Sequence, residues 1–432
     1  MNLSAMLFDK GRVHRLLVIS LSMITAGGLS SCSNLPTAEP AAKTVTVQGQ
    51  FSGEQQASFE QAMVPFEADT GIDVVYEATD TFTDLLEAPA DTASPDLLIF
   101  PQPGTMAEFA RAGRLVPLDN FMDATSLRAA YPDVWLDLGS VDEIPYGIWY
   151  RVSVKSLVWY RPTAFEAKGY DIPRTWSALI ELSDRIVADG GTPWCIGLES
   201  GDATGWPGTD WIEDILLRTG GPEVYSQWIS HRLPFNSPQV VRAFNEFGKF
   251  LRNPKYVKGG GERAITMPYG ESVLGLFSDP PDCYLHRQAN FVASFFPEDK
   301  EARIDYDVFL LPGIDPRFGT PLLVAGDSVA MLNDSMEARS LMKYIASPVP
   351  HEIGAKLGGF ISPHKQVSLE AYPNVINQNI AQILADADVI RFDGSDRMPA
   401  AVGTGSFWAG IIDFAKGKSA EEVTKSIDDT WP

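Results

Sequence analysis

The chain has 432 residues, which is too long for one compact core, so we expect two domains. Hydrophobic residues make up 45% of the chain and charged residues 21%, a globular mixture that argues against intrinsic disorder. Acidic residues outnumber basic ones by 56 to 34, and the resulting net charge of −22 repels phosphate backbones and argues against nucleic-acid binding. The three cysteines and the scattered histidines form no zinc motif, so we predict neither a metal site nor a cofactor.

Residues 1–31 are typical of a secretory signal peptide. Basic residues at positions 10, 12 and 15 precede the apolar run 16–26, which is too short to span a bilayer because a spanning helix needs about 20 residues. The segment Leu29-Ser30-Ser31-Cys32 then resembles the lipobox of bacterial lipoproteins, in which the peptide is cut before a cysteine that carries lipid. We therefore expect lipidation at Cys32 and a flexible tether over residues 32–43. The alternative is an N-terminal apolar helix that stays in the protein.

Strand and helix patterns alternate from residue 44 onward. Alternating or apolar runs predict strands over 44–51, 72–76 and 96–100. Between them, the spacing of Phe59, Met63 and Phe66 predicts a helix that ends near Gly71, and further helices are expected at Leu85-Leu86 and over 104–112. Strands that alternate with helices indicate βαβ units and a parallel sheet.

The longest β-like run covers residues 145–160, long enough to cross from one domain to another. Beyond it, Thr175 and Ser237 are expected to cap helices, and residues 210–218 to form another. Strands are predicted over 194–198, 306–311 and 322–332, followed by a mostly helical tail from Ser335. The pattern predicts two α/β lobes with more than one crossing between them.

Cys195 and Cys283 leave two alternatives open. Outside the cytoplasm they are able to pair in a disulfide. They could equally be two separately buried thiols, because sequence does not show proximity.

Carboxylates cluster in one short stretch, at Glu199, Asp202, Asp210, Glu213 and Asp214. Two of them could act as the acid and base of a glycoside hydrolase if they lay about 5 or about 9 Å apart. Carboxylates also bind sugar hydroxyls without any catalysis, and acidic residues are common throughout this chain. The cluster therefore favours binding over hydrolysis.

Six of the ten tryptophans fall between residues 149 and 211. Aromatic rings cover the apolar faces of sugars, while neighbouring polar groups bind the hydroxylated rim. Trp206 lies in a Gly/Pro loop, where a large ring has no regular face to pack on, so we expect it to contact a ligand, as we do Trp149 and Trp408. Tryptophans within regular patterns are expected in the core: Trp159, Trp176 and Trp211. For His286 and Arg287, core and ligand contact remain open.

Several segments in order resemble the extracytoplasmic solute-binding proteins of carbohydrate ABC importers, the maltose-binding-like family. They are FEADTGIDVVYE, SPDLLIF, ARAGRLVPLD and the long segment that begins IPYGIWYRVSVKSLVWY. Three further segments resemble the α-glucoside and glucosylglycerol branch of this family most: PWCIGLESGDATGWPG, CYLHRQANF and SDRMPAAVGTGSFW. The chain departs from maltose binders with Trp149-Tyr150-Arg151 where those proteins carry an acidic residue, so long maltodextrins are not expected as ligands.

The resemblance implies an α/β, two-lobed periplasmic-binding-protein fold with a hinge and an interlobe cleft. We expect residues 44–150 and 325–375 in the N-terminal lobe, and residues 151–324 and 376–432 in the C-terminal lobe. Motif order and the residue types above give these candidate ligand contacts: Glu54, Phe100, Gln102, Trp149, Tyr150, Arg151, Glu199, Trp206, Asp210, Arg287, Gly326, Asp327 and Trp408.

The implied protein is the sugar-binding component of an ABC transporter, in the periplasm and lipid-anchored to a bacterial membrane. We expect a monomer that captures a small α-glucoside of the glucosylglycerol, trehalose or sucrose type by hinge closure and delivers it to the permease. No enzymatic step is expected. The alternative is a secreted glycoside hydrolase that uses carboxylates near Glu199 and Asp210.

Overall fold

The computed structural model describes residues 43–79, Leu85, 94–358 and 360–432. Within these residues the strands are β1 (Lys43–Gly49), β2 (Ile72–Ala78), β3 (Leu97–Phe100), β4 (Ser140–Val141), β5 (Ile144–Pro145), β6 (Gly147–Val154), β7 (Leu157–Tyr160), β8 (Leu285–Arg287), β9 (Asp307–Leu310), β10 (Leu322–Met331) and β11 (Ile390–Phe392). The predicted signal peptide, Cys32 and the tether up to residue 42 lie outside the described residues, as does the expected helix at 85–86 apart from Leu85.

The helices are interspersed with the strands along the chain, and the last of them confirm the predicted helical tail. They are α1 (Glu54–Thr70), α2 (Pro103–Arg111), α3 (Ala124–Ala130), α4 (Asp133–Leu138), α5 (Pro162–Lys168), α6 (Trp176–Ala188), α7 (Trp206–Ile229), α8 (Pro238–Leu251), α9 (Gly260–Ala264), α10 (Tyr269–Ser272), α11 (Met336–Ile345), α12 (Pro348–Leu357), α13 (Val375–Ala385), α14 (Trp408–Ala415) and α15 (Ala420–Asp428). Across the described ranges, none of them is long and apolar enough to cross a membrane.

A mixed six-stranded sheet runs in the order β11-β10-β3-β1-β2, with β6 also paired to β10. Strand β1 is parallel to both β2 and β3, as the βαβ pattern predicted. The intervening helix α1 buries Phe59, Met63 and Phe66 and ends at Gly71, which adopts the left-handed conformation that glycine tolerates. Strand β10, by contrast, is antiparallel to both β3 and β6, so the sheet is not purely parallel.

The long β-like run over residues 145–160 is two strands in different sheets, not one strand. Strand β6 pairs with β10, whereas β7 lies between β8 and β9 in a three-stranded antiparallel sheet. The two residues between them, Lys155 and Ser156, are tied to β10. The backbone N–H of Lys155 donates to the carbonyl of Leu323 at 2.8 Å, and the hydroxyl of Ser156 accepts from the N–H of Leu323 at 2.9 Å. The chain therefore changes sheet at a fixed point beside β10.

Hydrophobic cores lie on either side of this crossing. One packs β1, β2 and β3 against α1 and α11. Another surrounds α7, whose residues 207–219 are all buried, with α6, α8, α14 and α15. A further cluster includes Val154 of β6, Leu157 of β7, Val324 of β10 and Phe392 of β11, and so connects the two sheets. This architecture confirms the predicted α/β class.

The strand predicted over residues 194–198 is wrong. In a β-ladder, successive backbone N–H and C=O groups bond to the same neighbouring strand. The backbone groups of residues 194–198 instead bond to different segments of the chain. The N–H of Cys195 donates to Leu285, whereas that of Leu198 donates to Ala264. Only an isolated bridge forms, between Trp194 and Leu285.

The two predicted helix caps behave differently. Thr175 accepts a hydrogen bond from the N–H of Ala178 at 3.2 Å, so that cap is confirmed. Ser237 occupies the position before α8, but its side chain makes no capping bond. Pro238 begins this helix instead, since its φ is fixed near the helical value and it has no N–H to satisfy.

Cys195 and Cys283 are joined in a disulfide, with their Cα atoms 5.4 Å apart. The structure thus contains the bonded form of the two alternatives that the sequence left open. The bond spans 88 residues of sequence and lies in the cluster that connects the two sheets.

We predict that replacing both Cys195 and Cys283 by alanine lowers the free energy of unfolding by about 4 kcal/mol, because the bond restricts a long loop in the unfolded chain. Urea titration of the variant and the wild type measures the difference. Wild-type protein held under reducing conditions is the control and should lose a similar amount. Equal stability of oxidised wild type and variant would contradict the prediction.

Candidate functional site

A cavity of about 320 Å³, here called the main cavity, opens where the six-stranded sheet meets the N-terminus of α7. Ligands of α/β sheets bind outside the carboxyl ends of the strands, and this cavity lies beyond the carboxyl ends of β1 and β3. Its wall consists of Gln50, Gln55, Pro101, Gln102, Arg151, Ser153, Lys155, Ser200, Ala203, Trp206, Thr209, Asp210, Tyr269, Phe291, Ala325, Gly326, Asp327, Asp393, Ser395, Asp396 and Trp408.

Four aromatic rings form the apolar part of the wall. The ring of Trp206 meets that of Tyr269 edge-on, with centroids 5.0 Å apart, and lies 6.0 Å from that of Phe291. Trp206 and Trp408 are each only partly buried, so part of each ring surface faces the cavity. The indole Nε1 of Trp408 is buried and has no hydrogen-bond partner in the described chain. A ligand oxygen in the cavity is the natural acceptor for this N–H.

A close backbone approach holds Trp206 and Trp408 side by side. Gly205, the residue before α7, has φ of 115°, which side chains rarely adopt. A Cβ at this position would overlap the carbonyl oxygen of Trp408. The Gly/Pro loop thus positions the ring of Trp206 through a conformation that requires glycine.

Three glutamine side chains also provide amide groups in the cavity wall. Gln50 follows β1, Gln102 follows β3, and Gln55 lies in the first turn of α1. None of these side-chain amides bonds another group in the part of the chain that the structure describes. Each amide offers both donors and an acceptor, the combination that a sugar hydroxyl needs.

Lys155, at the crossing between β6 and β7, lies at the base of the cavity. Its ammonium donates to Asp210 of α7 at 2.8 Å and to Asp393, which follows β11. It also lies 5.3 Å from the ring centroid of Trp206. All three charged groups are buried, so the ion pairs are little screened by solvent. They fix the crossing strand, α7 and the segment after β11 to one another.

A second set of buried charges lies deeper along α7. Asp214 accepts from Arg287 at 2.7 Å and from the hydroxyl of Ser156 at 2.9 Å, and it also pairs with Arg218. Asp214, Arg218 and Arg287 are all at most 4% exposed. Burying an unpaired charge is costly, and here each charge has a partner. Asp214, Arg218 and Arg287 therefore form a structural network behind the cavity wall.

Burial and ion pairing set the charge of the wall carboxylates. Burial raises the pKa of Asp210 to about 7, against the opposing attraction of Lys155. Burial also acts to raise the pKa of Asp393, but Lys155 outweighs it and lowers that pKa to about 2. Burial and the charge on Asp393 together raise the pKa of Asp396 well above its usual range.

Among the carboxyl groups in the cavity wall, that of Asp396 remains available to bond to a ligand. Within the described residues no protein group donates a hydrogen bond to its side chain, whereas Asp210 and Asp393 are engaged by Lys155. Because its pKa is raised, the carboxyl takes up a proton more readily than an ordinary aspartate. It can accordingly offer either an acceptor or a donor to a ligand hydroxyl.

Seven of the predicted contacts line the main cavity: Gln102, Arg151, Trp206, Asp210, Gly326, Asp327 and Trp408. The other six do not line it: Glu54, Phe100, Trp149, Tyr150, Glu199 and Arg287. Glu54 and Tyr150 instead line a neighbouring cavity. Glu199 accepts from the N–H of Gly201 at 2.8 Å, and Arg287 is buried in the ion network of Asp214.

Trp149 and Phe100 are core residues, which corrects the expectation that they contact a ligand. Strand β6 is covered on both faces, so the ring of Trp149 packs 5.4 Å from that of Trp135 and 4.9 Å from that of Phe392. Phe100 ends a fully buried strand and packs against Phe109. Conversely, Trp159 and Trp211 are buried as predicted, and Trp176 packs partly buried against the same core as Trp211.

Sequence reasoning missed several wall residues: Gln50, Gln55, Lys155, Tyr269, Phe291, Asp393 and Asp396. Gln50 carried a usable signal, since it ends a predicted parallel strand just as Gln102 does. Lys155 carried another, as a charged residue in an apolar run has to find a buried partner. Tyr269 and Phe291 lie in irregular segments far along the chain, where only the folded structure brings them to Trp206.

The geometry does not favour hydrolysis by Glu199 and Asp210. Glu199 is not part of the cavity wall. Asp210 is already paired with Lys155 and faces Arg287 at 3.5 Å. A glycosidase needs two carboxyl groups that flank one bond of the substrate, and these two do not share a cavity.

Comparison with known proteins agrees with this geometry. The family described as bacterial extracellular solute-binding protein matches residues 51–351. The chain is 51% identical over 391 residues to the osmoprotective compounds-binding protein GgtB of Synechocystis sp., covering 90% of this chain and 93% of that protein. It is 38% identical over 398 residues to the alpha-glucosides-binding periplasmic protein AglE of Rhizobium meliloti, covering 90% and 87%.

Solved structures show the same fold at low sequence identity. The bacterial solute receptor AcbH, which prefers β-D-galactopyranose, superposes with a TM-score of 0.77 at 20% identity, covering 90% of this chain and 98% of AcbH. The predicted two-lobed binding-protein fold is thereby confirmed. On the extent of the family match and the identity to GgtB and AglE, this chain belongs to the bacterial extracellular solute-binding proteins.

Proposed function

We propose that this protein captures a small α-glucoside of the glucosylglycerol, trehalose or sucrose type outside the cytoplasm and delivers it to the permease of an ABC importer. The observation that carries the proposal is the main cavity, in which partly exposed indole rings face unpaired amide and carboxyl groups. Rings cover the C–H face of a sugar, and the planar polar groups bind its hydroxyls. The name of AglE gives alpha-glucosides as its ligands and that of GgtB gives osmoprotective compounds, which supports a small glucoside as the ligand of this chain.

The size of the cavity supports a small ligand. Its volume of about 320 Å³ is at the lower end of protein ligand pockets, which range from about 300 to 1,000 Å³. Trp206 and Trp408 both line this cavity, so two rings are available for stacking on a small sugar.

Hinge closure supplies the mechanism. We assign residues 44–150 and 325–375 to one lobe and 151–324 and 376–432 to the other, so the wall takes Gln50 and Gln102 from the first and Trp206 and Trp408 from the second. A sugar that contacts both sets of groups stabilises the closed state, because only there do all contacts form. The ligand leaves chemically unaltered, since no step of capture needs a covalent bond to change.

The location and partners follow from the N-terminal segment and the family. Cleavage before Cys32 and lipidation there would hold the protein at the outer side of a bacterial membrane, next to the permease. The protein acts as a monomer in this scheme.

A thermal-shift screen tests the ligand class directly, since a bound ligand raises the melting temperature through mass action. Glucosylglycerol, trehalose, sucrose and maltose form the panel, with free glycerol and an amino acid as negative controls. We expect a concentration-dependent rise with at least one of the first three. A response to amino acids and to none of the sugars would refute the proposal.

We predict that Trp206→Ala and Trp408→Ala each raise the Kd for the responding sugar at least tenfold, about 1.4 kcal/mol, because each removes a stacking surface. Isothermal titration calorimetry gives the Kd values. Trp431→Ala is the matched control, since Trp431 is also partly buried but stacks on His231, outside the cavity wall. Affinity unchanged in both cavity variants would remove these rings from the site.

We also predict that Cys32→Ser releases the protein from the membrane fraction without changing its sugar affinity. Lipid attachment needs the cysteine thiol, whereas the cavity is built entirely from residues after position 49. Membrane fractionation with immunodetection measures the first effect and calorimetry the second. A Cys32→Ser variant that still sediments with membranes would contradict the lipid anchor.

A further inference from the structure

A second cavity of about 260 Å³, here called the side cavity, adjoins the main cavity. The two share Gln55 and Arg151 in their walls. The rest of its wall includes Phe51, Glu54, Tyr306, Asn374 and Asn377.

The side cavity has the same chemical character as the main cavity. Aromatic rings such as Phe51 and Tyr306 lie beside a carboxylate, Glu54, and two amides, Asn374 and Asn377. Rings together with planar polar groups are what a sugar unit requires. The composition of this wall is therefore compatible with a further sugar unit.

Arg151 is fixed in place between the two cavities. Its Nε donates to the carboxylate of Asp327 on the neighbouring strand β10. Its guanidinium carbon lies 4.1 Å from the ring centroid of Phe51, which adds a cation–π interaction from the other side. Gly326, beside Asp327, has no room for a Cβ because the carbonyl of Arg151 occupies that space, so the two strands are held close. The side chain is clamped rather than free to swing aside.

We propose that Arg151 determines ligand length: clamped by Asp327 and Phe51, it closes the main cavity against the side cavity and restricts binding to small glucosides. The proposal rests on the proposed function, because it takes a small sugar in the main cavity as given. Removing the side chain would join the two cavities into one cleft of sufficient size for a longer oligosaccharide. Arg151 acts here as a wall that selects ligands by length, in addition to any contact it makes with the ligand.

The test compares affinities for sugars of increasing length in wild-type protein and in Arg151→Ala. Calorimetry gives the Kd for the small glucoside that responds in the thermal-shift screen and for maltotriose and maltotetraose. In the wild type we expect both oligosaccharides to bind far more weakly than the small glucoside. In Arg151→Ala we expect the ratio of the oligosaccharide Kd to the small-glucoside Kd to fall at least tenfold.

Two further variants keep the result interpretable. Arg151→Ala leaves Asp327 without its partner, so the double variant Arg151→Ala/Asp327→Asn removes both charges and protects against a loss of folding. It should show the same fall in the ratio. Arg185→Ala is the matched control, because Arg185 also lies over a ring, that of Tyr170, at 5.1 Å but lines neither cavity. Its ratio should equal that of the wild type.

Each outcome has a defined meaning. If the ratio of the oligosaccharide Kd to the small-glucoside Kd is unchanged in both Arg151 variants, the inference is overturned. The proposed function still holds in that case, provided that the wild type binds the small glucoside. Wild-type protein that binds oligosaccharides as tightly as small glucosides also overturns it. So does loss of all sugar binding in folded Arg151 variants, since Arg151 would then be a contact for every ligand rather than a wall. Wild-type protein that binds no sugar removes the proposed function and the inference together.

Discussion

The ammonium of Lys155, buried between Asp210 and Asp393, is the interaction on which the site depends. Lys155 lies at the point where the chain leaves the six-stranded sheet for the three-stranded one. Its two partners come from the start of α7 and from the segment after β11. Burying these charges is costly unless they remain together, so the ion pairs hold three distant segments in one arrangement. Burial by itself lowers the pKa of Lys155, but Asp210 and Asp393 outweigh it and raise that pKa.

The same arrangement divides the carboxylates in and behind the cavity wall by role. Asp210 and Asp214 neutralise Lys155, Arg218 and Arg287 inside the protein. Asp396, in contrast, faces the main cavity without a protein donor among the described residues. A cluster that resembles catalytic carboxylates in the sequence is thus mostly a structural network, and rings and amides make up much of the cavity wall around it.

The sequence predicted the local structure better than the site. The apolar spacing of Phe59, Met63 and Phe66 defined α1, because helix periodicity reflects one buried face. The Gly/Pro loop around Trp206 indicated a ring outside the regular core, and Trp206 does line the cavity, whereas its contact with a ligand stays a prediction. Trp149 was misassigned, since nothing local reveals that β6 is covered on both faces. Tyr269 and Phe291 reach the cavity only through tertiary packing against Trp206, and no local sequence pattern reveals these contacts.

The proposed function requires that the protein bind a small glucoside between rings and hydroxyl-binding side chains and release it unaltered. Calorimetric titration with the responding glucoside, followed by chromatography of the sugar recovered after prolonged incubation, measures both binding and release. We expect one sugar bound per protein molecule and full recovery of the intact sugar. Appearance of a cleaved product, or the absence of saturable binding by any glucoside, would contradict the proposed function.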